Sequence, residues 1–459
     1  MKHIHLIGIG GTGLSAIALL LKERGYTVSG SDRTLSPLAR QLSAHGVTVY
    51  AGHDANNVLQ ADVVVRSSAI PDDNPEVQAA LDAGIPVLKR SEYLGQLMAG
   101  CQGIAIAGTH GKTTTTAMVA WVFTRLGQDP SYIIGGVAKN LGNNAHAGSG
   151  PIFVIEADEY DNMFLGLTPR VEVICTLEHD HPDCFPTRES YNEAFIRFVQ
   201  RLEPDGILLA SVDDAGTRWL ARNHAREDIR LLTYGKDAQA DYRAENLAPN
   251  QHGGFDFTAM YHNESLTPVS LQVPGEHNAL NALAALAVAH SQGLPVDQAA
   301  AALAEFSGTG RRFEVLGEAA GIVVVDDYAH HPTEVRATLS AARARYPGRR
   351  LWAVWQPHTF SRTVTLLNDF IAALQLADRV VITEVYAARE HNEGFSSAVI
   401  AEAMTHPSAY FAPTLISATQ YLLEQLQPGD VLLVLSAGDA DQISASVYAE
   451  LKSQEENYA

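Results

Sequence analysis

GIAIAGTHGKTTTT, residues 103–116, is the stretch on which the fold turns. Residues 103–107 are an apolar run that reads as a strand, and residues from 112 to about 126 read as a helix. Between them lie Gly108, Thr109, His110, Gly111, Lys112, Thr113 and Thr114. That combination is built for phosphate. Glycines expose backbone amides, the helix N-terminus adds its dipole, Lys112 suits the β- and γ-phosphates of a nucleotide, and the Thr113 hydroxyl suits Mg²⁺. The loop is two residues shorter than the usual G-x-x-x-x-G-K-T. A strand, this loop and a helix in sequence open a parallel α/β domain.

Toward the N-terminus, residues 3–7, 27–30, 47–50, 63–67 and 87–88 read as strands. Residues 13–24, 37–45, 74–82 and 92–98 read as the helices between them. Such alternation predicts a parallel sheet covered on both faces. After the first strand comes Gly8-Ile-Gly10-Gly11-Thr12-Gly13, and Asp32 ends the second. This is the fingerprint of a diphosphate-binding turn at a helix N-terminus. NAD and a nucleotide-sugar diphosphate would use the same geometry, and a glycine turn without a ligand is the plainer alternative.

Toward the C-terminus, further strands are expected at 152–155, 171–176 and 207–210, and an Ala- and Leu-rich helix at 279–290. FSGTGRRF, residues 306–313, reads as a linker. Beyond it, strands at 322–325, 351–355, 379–383 and 431–435 are each followed by a helical stretch, and the tail 453–459 is expected to fray. The chain therefore divides into three α/β domains. Residues 1–100 form a Rossmann-like domain, 101–308 a central P-loop ATPase-like domain, and 309–459 a C-terminal Rossmann-like domain.

Bulk properties agree. A chain of 459 residues has room for about three domains of ~150 residues. With 46% hydrophobic and 18% charged residues it has a globular composition. Its net charge of −20 argues against nucleic acid or an anionic membrane as the main partner. An anionic small substrate then needs local cations, metal ions or helix N-termini. Cys101, Cys175 and Cys184 make no disulfide framework, which fits a reducing cytoplasm. The apolar start resembles a signal peptide, but the glycine cluster splits it into a strand and a helix. No membrane insertion is expected.

Hard metal ligands follow the central strands. Glu156 lies in VIEADEYD, and Glu178, Asp180, His181 and Asp183 lie in LEHDHPD. Strand ends on the edge that carries the phosphate loop would bring Glu156 and His181 near a γ-phosphate, where carboxylates suit Mg²⁺. A zinc site from His179, His181 and Cys184 and a solvated acidic loop are the rival readings. His277, Asn278 and Asn281 open the Ala-rich helix, either to read an adenine edge or simply as caps. Arg311 and Arg312 sit in the linker, as phosphate-seeking cations or a solvated pair. Asp326, Asp327, Tyr328, His330 and His331 end one third-domain strand, and Gln356, His358, Arg362 and Thr363 follow the next. Open α/β sheets bind ligands at such ends.

GIGGTG, GTHGKTTT, EADE, HDH, GEHNxxN, GRRF, DDYAHHP and QPHTFSRT, in this order along the chain, resemble one family. These are the ATP-dependent Mur ligases, which add amino acids to the UDP-N-acetylmuramic acid precursor of peptidoglycan. Within it the chain is most similar to the branch that adds L-alanine to UDP-N-acetylmuramate. Tyr160 also resembles the branch that recycles a tripeptide. The resemblance implies three domains that bind UDP-sugar, ATP and amino acid, in a cytoplasmic monomer or homodimer. It implies that Gly8, Gly10, Gly11, Thr12, Gly13, Asp32, Ser67 and Ser68 hold the UDP-sugar. Residues 108–114 would cradle ATP, with His277, Asn278 and Asn281 at the adenine and Arg312 and Asp327 reaching over from the third domain. It implies two Mg²⁺ ions, with Mn²⁺ as a substitute, one held by Thr113 and one by Glu156 and His181. Tyr328, His330, His358 and Arg362 would orient L-alanine, and Lys112, Glu156, His181, His330 and Arg362 would carry catalysis. Some members have Arg where Thr359 stands, which leaves the carboxylate to Arg362. Later members use a carbamylated lysine after the HxD region, and none can serve here, since no lysine lies between Lys139 and Lys236.

Overall fold

The computed structural model describes residues 2–388, 390–392 and 394–458, setting aside the side chains of 457 and 458. Three sheets organise it. The first contains β1 (His3–Ile7), β2 (Thr27–Asp32), β3 (Thr48–Ala51), β4 (Val63–Arg66) and β5 (Val87–Lys89), in the order β3-β2-β1-β4-β5 and parallel throughout. Strand order reverses between β1 and β4, so a crevice opens beyond their C-terminal ends. The glycine turn follows β1 there, and Ser67 and Ser68 follow β4.

The central sheet comprises β6 (Gln102–Ala107), β7 (Ser131–Ala138), β8 (Asn143–His146), β9 (Ile152–Glu156), β10 (Val171–Ile174), β11 (Ile207–Ser211), β12 (Arg230–Gly235), β13 (Tyr242–Pro249), β14 (Phe255–Tyr261) and β15 (Glu264–Ser270). Their order is β15-β14-β13-β12-β11-β10-β6-β9-β7-β8. β6 lies between β10 and β9, so the phosphate loop, Glu156 and the 176–183 loop all leave one edge. The helices Lys112–Arg125 and Glu276–Ser291 pack together over this sheet. Small side chains along the second helix, Ala279, Ala282, Ala285 and Ala289 among them, are fully buried and allow close approach.

The third sheet holds β16 (Glu314–Ala319), β17 (Ile322–Asp327), β18 (Leu351–Trp355), β19 (Arg379–Thr383), β20 (Ala409–Ala412) and β21 (Val431–Leu435), ordered β16-β17-β21-β18-β19-β20. β17, β18 and β21 are buried along their whole length. That is why each reads as a continuous apolar run: helices cover both faces.

The structure differs from the sequence expectation at several points, among them the unexpected strands β7, β8, β12 and β20. The central sheet ends in the antiparallel strands β13, β14 and β15, and the third begins with the antiparallel β16. The tail does not fray at residue 453: the helix Asp441–Tyr458 continues through it, its buried Ile443, Val447 and Leu451 docked under the third sheet. The 306–313 linker is tied to β7, through Lys139 N to Gly308 O at 3.0 Å and Gly310 N to Val137 O at 2.9 Å. No helix among the described residues is long and apolar enough to cross a membrane.

A polar cluster is buried in the first domain. Glu76, on the helix Pro75–Asp82, is fully enclosed and takes hydrogen bonds from Ser31 and from Asn57 Nδ2 at 2.6 Å. His53 Nδ1 lies 3.3 Å and His5 Nε2 3.6 Å from its Oε2. Burial alone would raise the Glu76 pKa, but the nearby His5 ring and the hydrogen bonds of Ser31 and Asn57 bring it down to about 2.

Candidate active site

One cavity of about 1000 Å³ joins the three sheet edges, reaching from Gly13 past the phosphate loop to Arg362. At its first-domain end, Gly8 sits at φ +89° and Gly10 N donates to Asp32 Oδ2 at 2.9 Å. A side chain at Gly10 would run into Asp32 and Ser36, so Asp32 closes the turn from below. Thr12 and Gly13 reach the cavity wall, at the start of the helix Thr12–Glu23.

The phosphate loop is held from behind. Gly108, at φ +130°, lies against the backbone of Cys175 and Thr176, and Gly111, at φ +83°, against Asn281 Oδ1. Neither position has room for a β-carbon. Lys112 Nζ donates to Gly108 O at 2.6 Å and pairs with Glu159 at 2.9 Å. Burial alone would lower its pKa, but Glu159, Asp158 and Glu156 lift it above the ordinary lysine value. Glu159 is itself fully buried and also accepts from Tyr191 Oη at 3.1 Å.

Thr113 Oγ1 donates to Glu156 Oε1 at 3.0 Å, and Gly135 N donates to Glu156 Oε2 at 2.7 Å. Burial pushes the Glu156 pKa up. A β-carbon at Gly135 would come within 2.6 Å of both carboxylate oxygens, so that glycine makes the cradle in which Glu156 sits. The structure thus groups Glu156 with Thr113. His181, at φ +55°, stands beside Glu159 at 3.7 Å and Asp180 at 3.8 Å instead. His179 Nε2 faces Phe185 O at 2.8 Å, and His179, His181 and Cys184 form no metal-holding group among the described residues.

Between the central and third domains lies a clasp. His110 Nε2 is 3.0 Å from Glu178 and its Nδ1 3.2 Å from Glu334. Burial would depress the His110 pKa, yet those two carboxylates raise it to about 9, so the ring is an imidazolium at neutral pH. Thr333 Oγ1 donates to Glu178 at 2.8 Å, and Arg312 lies 3.8 Å from Glu334. The capping box that closes the helix Pro332–Arg345 joins His331 to Glu334, which fixes the carboxylate.

Asp327 organises the third-domain edge. It accepts from Phe313 N at 2.7 Å, Ala329 N at 2.8 Å and Thr338 Oγ1 at 3.1 Å, while burial raises its pKa to about 6. Arg311 and Arg312 lie over the Tyr328 ring at 5.1 and 5.0 Å. His330, its pKa lowered to about 4 by burial, has its ring 5.8 Å from His358. Arg362 Nη1 is 3.1 Å from His358 Nδ1, and the buried guanidinium pairs with Asp180 at 2.7 Å. Thr359 stands at φ +63°, an unusual conformation for a β-branched residue, just before the short helix that carries Arg362.

At the adenine end of the expected site, Asn278 Nδ2 donates to Pro274 O at 2.7 Å and Asn281 Nδ2 to Asn278 Oδ1 at 3.1 Å. His277 lines the cavity, its pKa lowered to about 4 by burial. Carboxylates outnumber cations on the cavity wall as a whole. Several wall residues were not anticipated, among them Arg90, Asp158, Asp213, Asp214 and Glu334. Glu159, behind the loop, was not singled out either. Glu334 and Glu159 had a sequence signal, in the H-P-T-E capping pattern and in the acidic run of EADE. Arg90 had none.

The profile of the Mur ligase family catalytic domain matches residues 3–101, that of the Mur ligase middle domain 106–289, and that of the Mur ligase glutamate ligase domain 311–438. The UDP-N-acetylmuramate–L-alanine ligase of Renibacterium salmoninarum is 45% identical over 97% of this chain and 95% of its own. That of Alkaliphilus metalliredigens is 40% identical over 98% of both. Among solved structures, the UDP-N-acetylmuramate–alanine ligase of Thermotoga maritima aligns with a TM-score of 0.84 at 29% identity, over 99% of this chain and 100% of that one. A murein peptide ligase from Psychrobacter arcticus aligns at 0.74 and 28%, over 98% and 99%.

Proposed function

Because this chain belongs to the Mur ligase family, we propose that it joins L-alanine to the lactyl carboxylate of UDP-N-acetylmuramate with ATP, making peptidoglycan precursor in the cytoplasm. The carrying observation is the single cavity in which a diphosphate turn, a phosphate loop and a polar third-domain edge meet. The lactyl carboxylate attacks the γ-phosphate, which gives an acyl phosphate and ADP. The amine of alanine then attacks that carbonyl and phosphate leaves.

The chain's own contribution is positioning and charge. Amides of the 108–113 turn hold the phosphates, and Lys112 exchanges Glu159 for the β- and γ-phosphates. His110 adds a second cation beside the loop. Thr113 and Glu156 together offer hard oxygen donors in a glycine-cleared cradle, which suits Mg²⁺ or Mn²⁺. His181 stands as a donor on the other side of Glu159. When bound, the metal neutralises phosphate charge. Arg362 takes the alanine carboxylate by exchange with Asp180, flanked by His358, His330 and Tyr328. Arg312 and the clasp bring the third domain against the nucleotide.

The test is phosphate release from ATP, Mg²⁺ and UDP-N-acetylmuramate, with L-alanine or the tripeptide L-alanyl-γ-D-glutamyl-meso-diaminopimelate added in parallel. Release dependent on L-alanine is the expected result. Release only with the tripeptide would transfer the reading to the recycling ligases.

A further inference from the structure

The diphosphate turn needs a positive partner. Its ligand in the proposed reaction carries two phosphate charges into a protein of net charge −20. A helix N-terminus supplies partial charge only, and the first turn of Thr12–Glu23 holds no basic side chain. Among the described first-domain residues, Arg90 is the one Lys or Arg that lines the cavity. Arg66, which ends the neighbouring strand β4, is paired with Asp72 at 2.6 Å.

Arg90 begins the helix Arg90–Met98, and its guanidinium lies directly on Gly13: a β-carbon built there would overlap Nη1. The last glycine of the turn therefore clears space for a cation. On its far side, Arg90 Nη2 donates to Asp158 Oδ2 at 3.2 Å, and Nε contacts Met163 Sδ. Asp158 belongs to the central domain, two residues past Glu156 and next to Glu159, which holds Lys112. One guanidinium thus touches both the diphosphate turn and the segment that tethers the phosphate-loop lysine.

We propose that Arg90 is the cation that binds the substrate's diphosphate, and that it ties this group to the ATP-binding domain through Asp158. This rests on the ligase reading above. A guanidinium offers a planar fork of donors, so two can face phosphate oxygens while Nη2 keeps Asp158. A lysine would bring the charge but could not bridge in the same way. The lactyl carboxylate is the other anion on this substrate. The contact with Gly13, where the helix amides converge, assigns Arg90 to the diphosphate.

Titration calorimetry on the full chain tests this with UDP-N-acetylmuramate, UDP-N-acetylglucosamine and Mg-ATP as probes. Arg90→Ala is expected to weaken UDP-N-acetylmuramate about 10- to 100-fold, with Mg-ATP affinity and melting temperature unchanged. Arg90→Lys should recover part of the loss. Gly13→Ala, which displaces the guanidinium, should lose binding alone but add little in the Arg90→Ala background. UDP-N-acetylglucosamine has no lactyl group and should be weakened by the same factor. A loss confined to UDP-N-acetylmuramate, with UDP-N-acetylglucosamine binding left at the wild-type level, would move Arg90 to the carboxylate and overturn the assignment. Equal loss of Mg-ATP binding would make it a structural strut. Wild-type protein that fails to bind UDP-N-acetylmuramate at all would overturn the ligase reading itself. Wild-type binding left intact by Arg90→Ala would overturn this inference alone.

Discussion

Lys112 and Arg362 share one situation: each is a cation paired with a buried carboxylate, and in the proposed reaction each would exchange it for a substrate anion. Glu159 and Asp180 keep the charges compensated and pointed at the cavity, so binding is an exchange of partners. Lys112→Ala should lower turnover by about 10²–10³ or more while the circular dichroism spectrum stays native. ADP release near the wild-type rate would remove Lys112 from the ATP site. Arg362→Lys keeps a charge beside Asp180 but loses the fork. It should raise the KM for L-alanine about tenfold and leave the KM for ATP within about twofold, both read from initial rates. Lys112 was named from the chemistry of its loop and Arg362 from the family resemblance, and the structure places both on the cavity wall. Their partners were not named as such: Asp180 read as one hard metal ligand among several, and Glu159 was passed over in the acidic run, until burial and distance paired them with Arg362 and Lys112.

At the level of elements, the apolar parallel strands near the middle of each sheet announced themselves, while the more exposed or shorter parallel strands β7, β12 and β20 did not. β18, β21 and β17 up to Asp326 are unbroken apolar runs because helices cover both faces, and every expected strand of the third domain is found. β13, β14 and β15 escaped notice because one face is open, which leaves a weak alternation interrupted by bulges. The tail is polar and exposed, and it is helical because it continues the helix Asp441–Tyr458, which Ile443, Val447 and Leu451 dock ahead of it. The buried Glu76 cluster was likewise silent in the sequence. Its folded pKa of about 2 lies below the unfolded value of 4.5. It therefore adds stability above pH 4.5 that is lost as pH falls toward 2, on the order of 3 kcal/mol. Chemical denaturation of wild type and Glu76→Gln across pH 2.5–7 should show the gap between them narrowing toward acid. A constant gap would show that the charge of Glu76 is not what stabilises the helix Pro75–Asp82.

In the whole molecule, three ordinary sheets become a ligase site only because their ligand-binding edges converge. That convergence could be expected from the family resemblance but not from any one segment, since His110 and Glu334 are 224 positions apart. Glu334→Gln keeps the shape of the clasp and removes one of its charges. The variant is expected to spend more time open, with a larger radius of gyration by small-angle scattering in the presence of nucleotide and a KM for ATP raised about fivefold. Unchanged scattering would mean that the third domain is held by other contacts.

The excess of carboxylates on the cavity wall has a consequence for traffic. Naked ATP meets a wall of its own sign, whereas ATP that arrives already complexed brings the countercharge with it. The protein should therefore act as a filter for the complexed nucleotide. Raising ATP beyond total Mg²⁺ should slow the reaction only as far as the complex is depleted, with little competitive inhibition by the uncomplexed form. The pace of the step would then follow the cell's free magnesium more closely than its total ATP.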